Sequence, residues 1–140
     1  MRFMVIVKAN EESEAGTPPD VEMLTEMGKF NEELVNAGVL LAAEGLAASS
    51  QGARVYFSGD KRTVVDGPFT ETKELIAGFW LLELRSLEEA VEWVKRVPNT
   101  GGGDSHIEIR RVASLEDFGD NLTPEVREQE EELRRRTAQQ

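Results

Sequence analysis

The chain has 140 residues, enough for one domain with a single hydrophobic core. It has no cysteine and only one histidine, His106, which excludes disulfides, thiol nucleophiles and thiolate or multi-histidine metal sites, so we predict neither a metal nor a cofactor. The formal net charge of −11 argues against nucleic acid and anionic membrane surfaces as partners.

The first predicted strand spans residues 2–8 and is apolar on both faces. Phe3 and Val5 lie on one face, and Met4 and Ile6 lie on the other. This pattern is typical of a strand in the centre of a sheet that is covered on both sides.

An acidic loop over residues 10–19 precedes a helix that we predict over residues 20–37. Thr17 or Asp20 can cap its N-terminus, and Gly38 follows its last turn, where a left-handed residue is common. Apolar residues recur at three- and four-residue steps, which predicts one buried stripe.

A strand over residues 39–46 and a loop over residues 47–52 follow. The next two strands, residues 53–58 and 61–66, form a hairpin that turns at Gly59. The alternating apolar pattern and the turn glycine together indicate this hairpin.

The most apolar strand is predicted over residues 76–84. Ser86 then begins a capping box that opens a short helix, which ends before Pro98. Residues 105–112 form the last predicted strand.

A charged helix is predicted in the tail, beginning at Thr123 and Pro124. Its arginines, residues 134–136, each have a glutamate four residues earlier, which favours a self-neutralised surface helix over a nucleic-acid-binding segment. We therefore predict a domain over residues 1–113 and a C-terminal loop and helix over residues 114–140.

No apolar run approaches the roughly 20 residues of a membrane-spanning helix. The N-terminal apolar stretch is too short for a secretory signal. We therefore expect a cytoplasmic protein with no membrane partner.

The order strand, helix, strand, hairpin, strand, helix, strand predicts a ferredoxin-like α+β antiparallel sheet with helices on one face. The strands at residues 2–8 and 76–84 are apolar on both faces, so the second face needs a cover that two helices do not supply. The simplest cover is a second copy of the chain, which predicts a homodimer with sheet against sheet.

Residues 65–74, Val-Asp-Gly-Pro-Phe-Thr-Glu-Thr-Lys-Glu, resemble the signature of the DGPF-domain branch of the YCII-related family. Weaker matches extend the resemblance over residues 2–112; they lie at residues 31–34, 38–40, 44–46 and 107–110. The resemblance implies a ferredoxin-like fold that assembles as a dimeric α/β barrel. Some members are encoded beside, or fused to, extracytoplasmic-function sigma factors, which implies a sigma-factor-linked protein partner.

Other YCII-related members resemble enzymes built on a His–Asp pair, with the histidine eleven residues before the glycine that ends the first helix. Met27 occupies that position here, so the pair is not carried over. Lys29 is a polar candidate nearby, although it lies off the apolar stripe.

Asp66 is the leading candidate for a catalytic residue. In one interpretation its carboxylate is a general base or ligand acceptor in a pocket at the dimer interface. In the other, which we favour, it is a turn aspartate that accepts backbone N–H bonds from Gly67 to Phe69. Gly67 would then lie where no side chain fits.

The remaining candidates for ligand binding are Glu44, Phe69, Glu71, Lys73 and Lys29. A Glu71–Lys73 pair could bind a polar ligand or be a solvated ion pair, and Thr70 or Thr72 could cap a helical turn. Glu44 interrupts an apolar strand, so it either faces a cavity or points to solvent from a sheet edge. A pocket would lie between the 66–74 turn, the strand around Glu44 and the first helix, near the acidic loop.

Three functions remain open at this point. The first is a small dimeric ligand-binding or regulatory protein linked to sigma factors, which we place slightly ahead. The second is a cofactor-independent lyase or isomerase that uses Asp66 for acid–base chemistry. The third is a structural dimer without a ligand. The sequence identifies neither a reaction nor a ligand.

Overall fold

The computed structural model describes residues 1–140. Its elements in chain order are β1 (Arg2–Lys8), α1 (Glu11–Glu14), α2 (Val21–Asn36), β2 (Leu40–Gly45), β3 (Ala53–Ser58), β4 (Lys61–Asp66), β5 (Ile76–Glu83), α3 (Leu87–Val94), β6 (Ile107–Arg111) and α4 (Pro124–Ala138). Short 3₁₀ segments span Ser49–Gln51, Thr72–Glu74 and Leu115–Asn121. None of these helices combines the length and the apolar character that crossing a membrane requires.

Four antiparallel strands form the main sheet in the order β2-β5-β1-β6, and β3 and β4 form a separate hairpin. The central position of β1 confirms the prediction from its two apolar faces, and β5, which is also apolar on both faces, lies beside it in the centre of the sheet. Together with helices on one face and the C-terminal helix α4, this order confirms the predicted ferredoxin-like α+β fold.

Local sequence signals place most element boundaries correctly. Asp20 caps α2 by accepting a hydrogen bond from the Met23 N–H, and Ser86 caps α3 through the Glu89 N–H. The prediction of a loop over residues 10–19 was wrong for residues 11–14, which form α1. Its capping box joins the side chains and backbone N–H groups of Asn10 and Ser13.

The core lies between the sheet and α2 and α3. Phe3, Val5, Trp80 and Leu82 from the sheet pack with Leu34, and all are at most 5% exposed. Further core residues are Phe30, Leu84 and Ala90. Burial on this scale is the main stabilising contribution to the fold.

The opposite side of the sheet has a second apolar surface, which we call the open face; it comprises Met4, Ile6, Phe79 and Leu81. Cross-strand pairing places Met4 beside Leu81 and Ile6 beside Phe79. All four remain partly exposed, and none belongs to the core or packs against it.

Hydrogen bonds fix the chain where it leaves β6. Both carboxylate oxygens of Asp117 accept bonds from the Arg111 guanidinium at 2.9 Å, and one also accepts the Ser114 N–H at 2.6 Å. These bonds, chiefly the one from Arg111, lower the pKa of Asp117 well below its usual range.

The tail helix α4 forms as predicted, with Thr123 at its N-cap and Pro124 in its first turn. The predicted ion pairs four residues apart were wrong, because Arg135 instead pairs with Glu132 at 2.8 Å. Side-chain torsions on an exposed helix allow either spacing at similar energy. The division at residue 113 stays a prediction.

Replacement of a leucine in α2 should show how much stability the core burial provides. We expect Leu34→Ala to cost about 2–5 kcal/mol, since the fully buried side chain leaves a cavity. Leu24→Ala in the same helix is a matched control and should change stability by less than about 0.5 kcal/mol, because Leu24 is 59% exposed. Urea denaturation measures both. Equal effects would contradict the packing described here.

The hydrogen bonds to Asp117 predict that the stability of the fold depends on pH. A carboxylate with a lowered pKa in the folded state contributes stability that is fully present above its unfolded pKa of about 4 and is lost as the pH falls further. The difference in stability between wild type and Asp117→Asn should therefore be constant from about pH 5 to 7 and shrink below about pH 4. Asp120 is an exposed aspartate nearby, and the stability difference between wild type and Asp120→Asn should not change over the same pH range. Urea titrations at several pH values test this.

Candidate functional site

Backbone contacts with residues 49–52 hold the 66–69 turn in place. The Gly67 N–H donates to the Gly52 carbonyl at 3.0 Å, and the Phe69 N–H donates to Ser49 Oγ at 3.0 Å. The peptide bond between Gly67 and Pro68 is cis, and proline has no N–H to satisfy. The N–H groups of Gly67 and Phe69 thus both have partners outside the turn.

Ser49 connects this turn to the acidic helix α1. Its N–H donates to Glu14 Oε1 at 3.1 Å, and its hydroxyl donates to Glu14 Oε2 at 2.5 Å. The same hydroxyl oxygen accepts the Phe69 N–H, so three separate segments meet at one side chain. We call this arrangement the Ser49 junction; it comprises Glu14, Ser49 and Phe69.

Gly67 lies against the Ser49 backbone. A Cβ added at Gly67 would lie 1.8 Å from the Ser49 carbonyl oxygen, far inside contact distance. This confirms that position 67 accepts no side chain.

The prediction that Asp66 caps its own turn was wrong. Its carboxylate was expected to accept the N–H groups of residues 67–69, but the Ser49 hydroxyl and the Gly52 carbonyl take both of those donors. Asp66 is exposed, and its side chain takes part in no hydrogen bond or ion pair. The carboxylate is therefore not required by the turn.

Asp66 lies at the base of an apolar surface of the hairpin. Pairing of β3 with β4 aligns Ala53 with Asp66, Val55 with Val64 and Phe57 with Arg62 on one side. We call this the apolar hairpin face; its large residues are Val55, Phe57 and Val64, which are 50%, 70% and 64% exposed.

Phe69 contacts the other face of the hairpin. The Arg54 guanidinium lies 3.9 Å from the centroid of the Phe69 ring, a cation–π contact. Because Arg54 alternates with Val55 along β3, this contact fixes the hairpin from the side opposite the apolar hairpin face.

Glu44 lies apart from this turn. It is in the edge strand β2, opposite Phe79 of the open face, and it is exposed without an ion pair. Of the two alternatives, the structure shows the solvent-facing edge position.

The other candidates are also solvated. Lys29 pairs with Glu26 on α2 at 3.3 Å, away from the 66–69 turn. Glu71 and Lys73 are exposed and form no ion pair, and no side chain caps the 72–74 turn, so the proposed pair and threonine caps were wrong. Of the six candidates, only Asp66 and Phe69 lie in the same short turn.

The sequence did not point to three residues of this region. Glu14, Ser49 and Arg54 show no motif, and they meet the turn only through the fold. The spacing of Asn10 and Ser13 was a usable signal for α1, and hence for the position of Glu14. No group of three or more His, Asp or Glu side chains lies close enough together to hold a metal ion.

Comparison with known proteins assigns the family. A family model described as the YCII-related domain matches residues 1–116. The chain belongs to the YCII-related family. An uncharacterised protein of Rhizobium meliloti is 30% identical to this YCII-related chain over 94 residues, which cover 67% of the chain and 76% of that relative.

One similar solved structure is 5-chloro-2-hydroxyhydroquinone dehydrochlorinase from Burkholderia phenoliruptrix in complex with 2,5-dihydroxybenzoquinone. The TM-score is 0.46 and the sequence identity is 17%, over 81% of this chain and 94% of that one.

Replacement of Ser49 should destabilise the fold, whereas replacement of Asp66 should leave its stability nearly unchanged. Ser49→Ala leaves the Phe69 N–H without its acceptor and removes the hydroxyl bond to Glu14 Oε2, which keeps only the longer bond from the Ser49 N–H at 3.3 Å. We therefore expect a loss of stability of about 1–3 kcal/mol. Ser50→Ala, at an exposed neighbour, is the control. Asp66→Ala should change stability by less than about 0.5 kcal/mol, since nothing is bonded to its carboxylate. Chemical denaturation curves that show clear destabilisation by Asp66→Ala would restore the turn-cap interpretation.

Proposed function

We propose that this YCII-related protein binds a small molecule through Asp66. The observation that supports the proposal is an exposed carboxylate on a turn whose backbone is fixed by other groups and which forms no hydrogen bond or ion pair with the protein. The turn around it is fixed by Ser49, Gly52 and Phe69, so Asp66 keeps its full capacity to accept hydrogen bonds from a ligand.

The surroundings of Asp66 define the class of ligand. An ionised carboxylate accepts hydrogen bonds and attracts positive charge, which favours a ligand with a hydroxyl or amino group. Val64 and Ala53 lie on the same side of the hairpin, so the rest of the ligand should be apolar. A compact molecule with a donor group at one end of an apolar body fits both features.

We further propose that the protein is a homodimer in which two open faces pack together as a dimeric α/β barrel. Met4, Ile6, Phe79 and Leu81 give this face an apolar centre, and α2 and α3 already occupy the other face. Burial against a second copy would remove this area from water without any further element of the chain.

The signature at residues 65–74 supports placing the chain in the DGPF branch of the family. A protein partner linked to an extracytoplasmic-function sigma factor is part of the same proposal, and it would place the protein in the cytoplasm. With a net charge of −11, contact through such a protein is favoured over direct contact with DNA.

A thermal-shift screen of hydroxyl- and amine-bearing metabolites tests the ligand proposal. A compound present at 100 times its dissociation constant should stabilise the wild type by about 2.7 kcal/mol. Asp66→Asn removes the charge but keeps the shape, so it should lose this stabilisation while its melting temperature without ligand stays the same. Asp60→Asn, at the exposed turn of the same hairpin, is the matched control.

Equal stabilisation of the wild type and Asp66→Asn would exclude Asp66 as the ligand contact. Failure of every compound would favour the structural dimer. Turnover of a stabilising compound would extend the proposal to an enzyme that uses Asp66 for proton transfer.

A further inference from the structure

A cavity lies at the end of the main sheet away from the Ser49 junction. The Ser49 junction follows the end of β2, whereas the cavity opens where the start of β2 meets the end of β5, the end of α2 and α3. Its volume of about 450 Å³ is in the usual range for small-molecule sites. We call it the β5 cavity; its lining includes Val39, Leu84, Arg85, Glu89 and Trp93.

The apolar lining of the β5 cavity is continuous with the core. Leu84 belongs to the core and is 4% exposed, and Val39 and Trp93 are partly buried and pack against the core. These three side chains give the cavity an apolar wall that the core holds in a fixed position. The wall suits an apolar group of a ligand.

Two charged side chains of the β5 cavity have no charged partner. The Glu89 carboxylate is partly buried and forms no ion pair, and the Arg85 guanidinium forms neither a hydrogen bond nor an ion pair. Glu83, which also lines the cavity, differs because its carboxylate pairs with the Met1 amino group at 3.5 Å. The cavity therefore offers one free anion and one free cation to a ligand.

A backbone hydrogen bond keeps the two free charges near each other. Glu89 Oε2 accepts the Arg85 N–H at 3.0 Å, so the Glu89 carboxylate lies beside the Arg85 backbone. The Arg85 guanidinium is then within the length of one arginine side chain of that carboxylate. Glu89 Oε1 makes no hydrogen bond within the chain and can accept one from a ligand.

We propose that the β5 cavity binds an α-amino acid with an apolar side chain. Glu89 accepts hydrogen bonds from the ammonium group, and Arg85 donates to the carboxylate. The ligand side chain packs against Leu84, Val39 and Trp93. An α-amino acid has both charges on one carbon and an apolar group beside them, which matches the three features of the cavity. This site is separate from Asp66 and does not rest on the function proposed above.

Ligands with a single charge fit the β5 cavity less well. A simple carboxylic acid would place its negative charge near Glu89, and an amine would leave Arg85 without a partner. Like charges placed together and charged groups left unpaired are the usual means by which a site rejects related molecules. The cavity should therefore select the amphoteric molecule over both of its singly charged analogues.

Titration with L-leucine, followed by ¹⁵N NMR of the two indole N–H groups, tests the site. Trp93 lines the cavity, whereas the Trp80 indole N–H is bonded to Asn31 in the core at 2.8 Å. We expect a saturable shift of the Trp93 signal and almost none of the Trp80 signal. The variant Trp93→Phe assigns the two signals.

Three analogues of L-leucine test which features of the ligand matter. Isocaproic acid lacks the ammonium group, isoamylamine lacks the carboxylate, and L-serine lacks the apolar side chain. Each should bind about tenfold more weakly than L-leucine, because each loses one of the three contacts. Equal binding of all four compounds would overturn the proposal.

Two neutral replacements test the charged residues. Arg85→Gln and Glu89→Gln should each raise the dissociation constant of L-leucine about fivefold or more, a modest effect because the site is open to water. Glu88→Gln, at an exposed neighbour outside the cavity, is the matched control and should change it less than about twofold. Glu89→Gln should also bind isocaproic acid no more weakly than the wild type does, an effect that a purely structural role of Glu89 would not produce.

The outcomes separate this site from the one at Asp66. Asp66→Asn should bind L-leucine as the wild type does; loss of binding in that variant would place the amino acid at Asp66 and overturn a second site. The absence of a saturable Trp93 shift at millimolar L-leucine, or equal shifts of both indole signals, would also overturn it. Neither result bears on the thermal-shift comparison of wild type and Asp66→Asn, which judges the proposed function separately.

Discussion

The close contact between the Ser49 segment and the 66–69 turn fixes the position of the candidate site. Gly67 approaches the Ser49 carbonyl so closely that no side chain fits, and the Ser49 hydroxyl bonds both the turn and Glu14. This contact sets the base of the hairpin relative to the main domain. Without it, a hairpin that pairs with no other strand would have little to hold its orientation.

The Ser49 junction also explains why Asp66 is free. A turn aspartate usually accepts nearby backbone N–H groups, and such an aspartate has a complete structural role. Here the donors are used by groups from another segment, so the carboxylate gains nothing from the turn and the turn gains nothing from it. The Ser49 junction fixes the turn, and the Asp66 carboxylate keeps all of its hydrogen-bonding capacity.

The sheet divides the apolar residues into two sets with different surroundings. One set packs under α2 and α3, and the Trp80 indole N–H within it finds a partner in Asn31 at 2.8 Å. The other set, on the open face, packs against none of the core residues. The exposed apolar hairpin face adds a third surface, so this small chain leaves a large apolar area in contact with water.

Local sequence determined the secondary structure and most of the topology of this protein. Alternation of side chains and Gly59 specified both hairpin strands, and Asp20 and Ser86 specified two helix starts, because these signals act within a few residues. Tertiary structure alone decided the candidate site. Glu14 and Ser49 are 35 positions apart, and Ser49 and Phe69 are 20 apart, so no local pattern encodes their contacts. Asp66 has no bond to its own turn because the Gly52 carbonyl and the Ser49 hydroxyl accept the N–H groups of Gly67 and Phe69, and only the folded chain brings those groups together.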